Sequence, residues 1–286
     1  CLSRGLGDVD KRQAQLNREA TMNKWTSLVL GAFLVGASTS AWALTADEIM
    51  QRVNDRENGD NIVMEMQMVL INKNNEQRVR RMQQYRQDKG EDSQSVIFFE
   101  EPADVRNTGF LTYDYDDESK DDDQWMYLPA LRKTKRIAAS DKSGSFMGSD
   151  FNYSDLTSYN LSDYNYKLLK ENDKVDGSDA WVIYSEPKNE DVKEETGYAK
   201  SVIWVRKDNY VVVRAKNWVH KSPDIKFFEF KDLQQIEGVW FPSEIKAQRR
   251  FGKEVVHQTI LRQQNIRLNQ NLEDSLFSQR RLEQGL

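Results

Sequence analysis

Cysteine is almost missing from this chain: the only one is Cys1. The rest of the sequence therefore has no disulfide, no thiol nucleophile and no thiolate metal site. Histidine is nearly as scarce. With only His220 and His257, metal centres and acid–base relays built on imidazole are poorly supplied. No Ser–His–Asp constellation is signalled, so no catalytic residue, metal or cofactor is assigned. A Gly-rich dinucleotide fingerprint, a P-loop and a βαβ rhythm are all absent, and no internal repeat shows beyond a hairpin rhythm. Excess positive charge is lacking too. The 41 Lys and Arg face 46 Asp and Glu, for a net charge of −5. That argues against bulk nucleic-acid binding, which needs a basic surface, and suits a soluble, monomeric carrier or enzyme.

What is present begins with a secretion-type segment. Residues 22–43 read MNKWTSLVLGAFLVGASTSAWA. Lys24 supplies the positive start, Leu28 to Ala37 the apolar run, and Ala41-Trp42-Ala43 a small-x-small cleavage site. The run is shorter than the roughly 20 apolar residues that span a bilayer. The reading is therefore a signal peptide over 22–43, with residues 1–21 as an over-extended, unfolded frame. One domain over 44–286 follows, periplasmic and soluble after cleavage. Leu44, not cysteine, follows the cut, so no lipid attachment is expected there.

Thr45-Ala-Asp-Glu48 is a capping box that starts a short helix. After Asn58-Gly59-Asp60 the period changes to two. Met64, Met66 and Met68 alternate with Glu65 and Gln67, as in a half-buried strand. Further strands are read at 76–86, 93–100, 105–115, 124–129, 131–139, 164–171, 180–186, 198–206, 210–219, 225–236, 239–250 and 253–266. Asn271 is placed as the cap of a last short helix carrying Leu272, Leu276 and Phe277. The acidic run 114–123 reads as a solvated loop, since it lacks the glycine and spacing of a calcium loop. Serial hairpins make an antiparallel meander, and a sheet this wide must curl to protect its edges. The expected fold is mainly β: a strongly curved antiparallel sheet of about eleven strands forming an unclosed barrel, with one to three helices against its concave face.

The stretch 124–155 is the least ordinary. Trp125-Met-Tyr-Leu-Pro129 is an aromatic strand end, and Arg132, Lys133, Lys135 and Arg136 form a basic cluster on the next strand. Ser145-Phe-Met-Gly-Ser-Asp-Phe151 is a loop with large apolar residues where a solvated loop is polar. Phe146, Met147 and Phe151 either plug the open end of the sheet or line a ligand site. This stretch resembles the periplasmic outer-membrane lipoprotein-sorting family of the LolA-like superfamily. The shared pattern is W-x-Y-L-P, then R-I, then S-F-M-G-S-D-F-x-Y-x-D, here Trp125 to Pro129, Arg136-Ile137 and Ser145 to Asp155. Gly109 to Tyr113 and Trp240 to Pro242 also fit. The resemblance implies an unclosed barrel with a helical lid and an apolar cavity for acyl chains.

The expected function is a periplasmic carrier that binds acyl chains of a lipid or lipoprotein and passes them toward the outer membrane, without chemistry. The candidate lipid-binding residues are Met64, Met66, Met68, Trp125, Tyr127, Phe146, Met147, Phe151, Trp204 and Phe228. Methionine suits a lining that must fit shapeless chains, although the same strand face also reads as ordinary core. Arg132, Lys133, Lys135 and Arg136 are candidates for docking a phosphate headgroup or acidic partner, or are charges guarding an exposed edge. Inner- and outer-membrane proteins are the expected partners, including a transporter of the resistance–nodulation–division type. The alternative is an envelope sensor or accessory module that docks to such a transporter. A third reading, a carboxylate-dependent hydrolase, requires a polar cleft instead of a greasy one.

Overall fold

The computed structural model describes residues 43–117 and 120–285. The signal segment, apart from Ala43, and the first 21 residues lie outside the described residues. Helix α1 (Ala46–Asn54) comes first and is closed by the capping box read from the sequence. Glu48 N–H donates to Thr45 Oγ1 at 3.2 Å, and Thr45 N–H donates to Glu48 Oε2 at 2.8 Å. Six strands follow: β1 (Asn61–Asn72), β2 (Gln77–Lys89), β3 (Asp92–Glu101), β4 (Gly109–Asp114), β5 (Asp123–Leu128) and β6 (Lys133–Ile137). A stretch with four single turns of 3-10 helix covers 139–163. Then come β7 (Tyr164–Val175), β8 (Ser178–Pro187), helix α2 (Glu190–Thr196), β9 (Tyr198–Arg206), β10 (Val212–Val219), β11 (Asp224–Ile236), β12 (Val239–Phe251) and β13 (Glu254–Arg267). A 3-10 turn at Asp274–Phe277 and helix α3 (Gln279–Gln284) end the chain.

Among the described residues, thirteen strands form one antiparallel sheet in the order β6-β5-β4-β3-β2-β1-β13-β12-β11-β10-β9-β8-β7. The expected class holds, a curved and unclosed β wall, but about eleven strands is too few. Each of the thirteen segments read as a strand forms one, so the total of about eleven undercounted them. Two meanders, β1–β6 and β7–β13, are sealed where β1 pairs with β13 along Val63↔Arg267 to Asn72↔His257. Among the described residues the free edges are β6 and β7, the two strands that flank the 139–163 stretch.

The alternation in β1 works as read. Ile62, Met64, Met66, Met68 and Leu70 fall on one face and join Phe99, Phe110, Met126, Phe228 and Phe241 in the main core. We call this the inner face. Register carries it across the sheet: Phe228 pairs with Ala215, and Ala215 with Ile203. Ile203 packs with Ile183 and Val205 against Ile49 and Met50 of α1. The inner face is thus covered by α1 near β8–β9 and by the 139–163 stretch elsewhere.

The other helices depart from expectation. The C-terminal segment packs on the opposite face, where Phe277 and Leu282 meet Val96, Phe98 and Leu111. Its helix starts at Ser278, whose side chain accepts from Arg281 N–H, and not at Asn271. Helix α2 was not anticipated. It is short, buries none of its residues, and so has no apolar stripe to read. Asn189 caps its start and Gly197, at φ 78°, its end. Among the described residues no helix is long and apolar enough to cross a membrane.

Candidate functional site

The 139–163 stretch leaves one free edge of the sheet and returns at the other, so it straps the opening between them. Its sequence explains how a loop comes to lie in a core. Ser145 and Asn152 form an isolated bridge, and Phe146 N–H donates to the Phe151 carbonyl at 2.8 Å. Inside that small ring, Ser149 N–H donates to the Phe146 carbonyl at 2.9 Å and Phe151 N–H to Ser149 Oγ at 3.2 Å. Backbone groups that burial would orphan are therefore satisfied within the strap. Arg80 of β2 donates to the Met147 carbonyl. Gln124 of β5 donates to the Tyr153 carbonyl at 2.9 Å.

The apolar side chains of the strap point to the inner face. Phe146 is 1% exposed. Its ring lies 5.0 Å from Phe110, 5.8 Å from Tyr153 and 6.1 Å from Phe99. Phe151 sits 5.7 Å from Phe228. Met147, at φ 51°, and Leu156 pack partly buried on the same cluster. The inner face is filled by the strap's own side chains.

The polar side chains of the strap latch it to one end of the same face, where Lys226, His257 and Thr259 share the register of Phe228, Ala247 and Leu70. Asp150 Oδ2 accepts from Thr259 Oγ1 and lies against His257 Nδ1, both at 2.7 Å. Asp150 N–H donates to Thr259 Oγ1 at 2.9 Å. Asp155 Oδ2 accepts from Asn152 N–H at 2.7 Å and from Tyr198 O–H at 2.9 Å. Lys226 of β11 donates to Asn152 Oδ1 at 2.6 Å. Burial raises the Asp155 carboxyl above its ordinary range, opposed by the Lys226 charge. It also lowers the Lys226 ammonium, opposed by Asp155. Burial, then Asp155, pushes the Tyr198 phenol far up. From α2, the Thr196 carbonyl accepts from Asn152 Nδ2 at 2.9 Å and Ser154 Oγ at 3.0 Å.

Beside the latch is a cavity of about 710 Å³. The strap, α2, the β10–β11 turn and the ends of β12 and β13 form its walls. It is polar, lined by serines together with Asp150, Asn152, Lys226, Arg249, His220 and His257. Its carboxylates are engaged: Asp150 as above, Glu194 by Lys221, and Asp224 with Arg249 at 3.9 Å. A cleft lined by polar residues is what the hydrolase reading requires, and here each lining carboxylate has a basic or hydroxyl partner. Glu190, Glu194 and His220 place donor atoms within 4.8 Å of one another. The Lys221 ammonium sits on Glu194 and 3.8 Å from Glu190, in the position of a neutralising cation.

The structure brings together seven of the ten candidate lipid-binding residues. Met64, Met66, Met68, Phe146, Phe151 and Phe228 are buried in the inner cluster, and Met147 packs against it. Three lie elsewhere. Trp125 and Tyr127 alternate with Met126 on β5, and it is Met126 that faces inward, while both aromatics pack under the C-terminal segment. Trp204 joins Val211, Val213, Leu233 and Trp240 in a separate cluster, its Nε1 donating to Asp173 at 3.1 Å. Trp218 lies under the ammonium groups of Lys200 and Lys216. The basic cluster sits on and beside edge strand β6. Lys135 lies 3.3 Å from Asp141, Arg136 Nε donates to Asp123 at 2.8 Å, and Arg132 occupies the β5–β6 turn at φ 48°. None of the four lines the cavity. Lys226 was missed. Its signal was there: it holds the same register as Phe228 and Phe230, a charge on a face that must be buried.

Comparison with known proteins follows the same lines. A family model described as uncharacterized protein matches residues 91–284. Among solved structures, an outer membrane lipoprotein-sorting protein domain from Vibrio parahaemolyticus is 29% identical, with a TM-score of 0.74 over 83% of this chain and 98% of that one. A DUF1329 family protein from Desulfovibrio piger is also 29% identical, with a TM-score of 0.75 over 83% and 97%. A LolA superfamily protein from Nitrosomonas europaea, at 20% identity and a TM-score of 0.63 over 84% and 100%, shares the fold. No curated protein matches the chain.

Proposed function

This chain belongs to a family of uncharacterized proteins with the LolA-like fold, and from that premise we propose that it is a periplasmic carrier for the acyl chains of a lipid or lipoprotein. Residues 22–43 direct export, and the domain over 44–286 binds without performing a reaction. Membrane proteins load and unload it, a resistance–nodulation–division transporter among the candidates. The observation that supports this best is the strap: a loop carrying Phe146, Met147 and Phe151 that closes the inner face between two unpaired strand edges.

In the structure the strap's side chains take up the inner face, so cargo has to displace them. The magnitudes allow it. Each CH₂ kept from water is worth about 0.8 kcal/mol, and a chain of about 14 carbons roughly 10 kcal/mol. Burying one Phe ring is worth about 1.5–3 kcal/mol. Exchanging two rings for one acyl chain therefore leaves several kcal/mol to open the polar latch. The methionines of β1 supply a lining that re-forms around a flexible chain.

The test is to purify the protein, extract bound lipid for mass spectrometry, and measure uptake of a fluorescent fatty acyl probe. Lipid recovered in stoichiometric amount, or saturable uptake, is the expected result. Neither one, under conditions where the protein is folded, sinks the carrier reading. A filled interior also favours the alternative, an accessory module that docks to a membrane protein. Its mark is a stable complex recovered from detergent-solubilised membranes with no transfer of lipid between vesicles.

A further inference from the structure

The inner face holds two environments under the strap. One part of the strap presents Phe146 and Phe151 to the apolar cluster. The other presents Ser145, Ser149, Asp150 and Asn152 to the polar cavity of about 710 Å³. A single peptide segment thus marks the line between a place for hydrocarbon and a place for polar groups. We infer that the cavity receives the phosphate-bearing head of an amphiphile whose acyl tail replaces the strap's rings on the inner face. This rests on the carrier reading above and adds the class of cargo.

The chemistry of the walls selects that head. Lys226 is only 6% exposed, and its ammonium donates to Asn152 Oδ1. An ammonium has three donors, so the buried cation at the cavity wall keeps capacity for an anion. Arg249 pairs with Asp224 by charge at 3.9 Å, without a hydrogen bond, so its N–H groups stay open to an anion. Its guanidinium can take two phosphate oxygens side by side. Hydroxyls of Ser140, Ser143 and Ser222 line the same space and donate to oxygen. Two of the lining carboxylates are turned to other partners, Asp150 to Thr259 and His257 and Glu194 to Lys221, and the third, Asp224, shares the charge of Arg249. No phenylalanine, tyrosine or tryptophan lines the cavity, so a sugar has no broad aromatic platform there. A phosphate ester on a short polar head is the chemistry that remains.

The experiment is competition against a bound fluorescent acyl probe at fixed ionic strength, with two lipids of the same tail: 1-acylglycerol 3-phosphate and 1-acylglycerol. Glycerol 3-phosphate forms a third arm. The phosphate lipid is expected to compete at least about tenfold better than its neutral twin. Arg249→Gln and Lys226→Met should bring the two lipids to nearly equal affinity. Lys226 is buried and its variant can fail to fold; Arg249 sits at the half-exposed end of β12 and tests the same point. Equal affinities in the unaltered protein overturn the head assignment and leave the carrier reading standing. Glycerol 3-phosphate binding as tightly as the lipid overturns it in favour of a soluble phosphate ester. Failure of the probe and both lipids to bind overturns the carrier reading and this assignment together.

Discussion

Phe146 shows how much one side chain of the strap controls. Its ring contacts Phe99, Phe110 and Tyr153. Phe146→Ala should cost about 3–5 kcal/mol of stability, read as a lowered midpoint in urea. If the strap guards an acyl site, the same variant should bind the fluorescent probe more tightly at temperatures where it is folded. A second residue ties stability to pH. Burial first, then the charge of Asp114, pushes the Asp122 carboxyl from an ordinary value of 3.8 up to about 6. The folded chain then holds this proton more tightly than the unfolded one. The contribution of Asp122 to stability is complete below about pH 4 and is lost as pH rises through about 6. Asp122→Asn keeps an acceptor for Tyr115 N–H. It should raise Tm at pH 7–8 and flatten the slope between pH 4 and 6. A variant that melts lower at pH 8 than the parent would contradict this assignment. At this scale the sequence was half legible. The Met64–Met66–Met68 face could be read because alternation names a face directly. Trp125 and Tyr127 could not be sided, because β5 is short and carries an apolar or aromatic residue on both faces.

Elements here are locked by glycines where two chains come too close for a side chain. A Cβ on Gly109 of β4 would stand 2.5 Å from Leu282 Cδ1 and 3.3 Å from its carbonyl oxygen. Gly109→Ala should lift α3 from the sheet at a cost of about 1–3 kcal/mol. Hydrogen exchange confined to residues 274–285 should speed up first. Gly197 does the same for the strap. It ends α2 at φ 78°, and a Cβ there would meet Asn152 Nδ2 and Ser143 Cβ, each at 2.9 Å. Gly197→Ala combines a left-handed backbone with that clash, and about 1–3 kcal/mol should be lost. Proteolysis should then cut within 139–163 before the rest of the domain. Strands could be read from the sequence because hairpin turns such as Asp176-Gly177 and Glu237-Gly238 punctuate the alternation. Helix α2 could not, since it is held by capping and by its contacts with the strap, not by an apolar stripe.

Across the whole molecule, the antiparallel curved sheet followed from composition and turn spacing, but the position of the seam did not. Nothing local in β1 says that its second partner is β13, because both pairings satisfy the same alternation. The two meanders differ in length, and only the seam joins them into one sheet. Removing residues 252–286 should abolish the cooperative thermal transition rather than lower it. A sharp melt in such a fragment, by near-UV circular dichroism, would show that the halves stand alone. The seam also sets a schedule. A chain that emerges N-terminus first presents the methionine-bearing strand early and its last neighbour almost at the end, with roughly 180 residues between them. Until that final ribbon arrives, a long greasy border stays open to any nearby strand that can pair with it. The half-wall that waits for it is the state in which two copies of this chain would cross-pair.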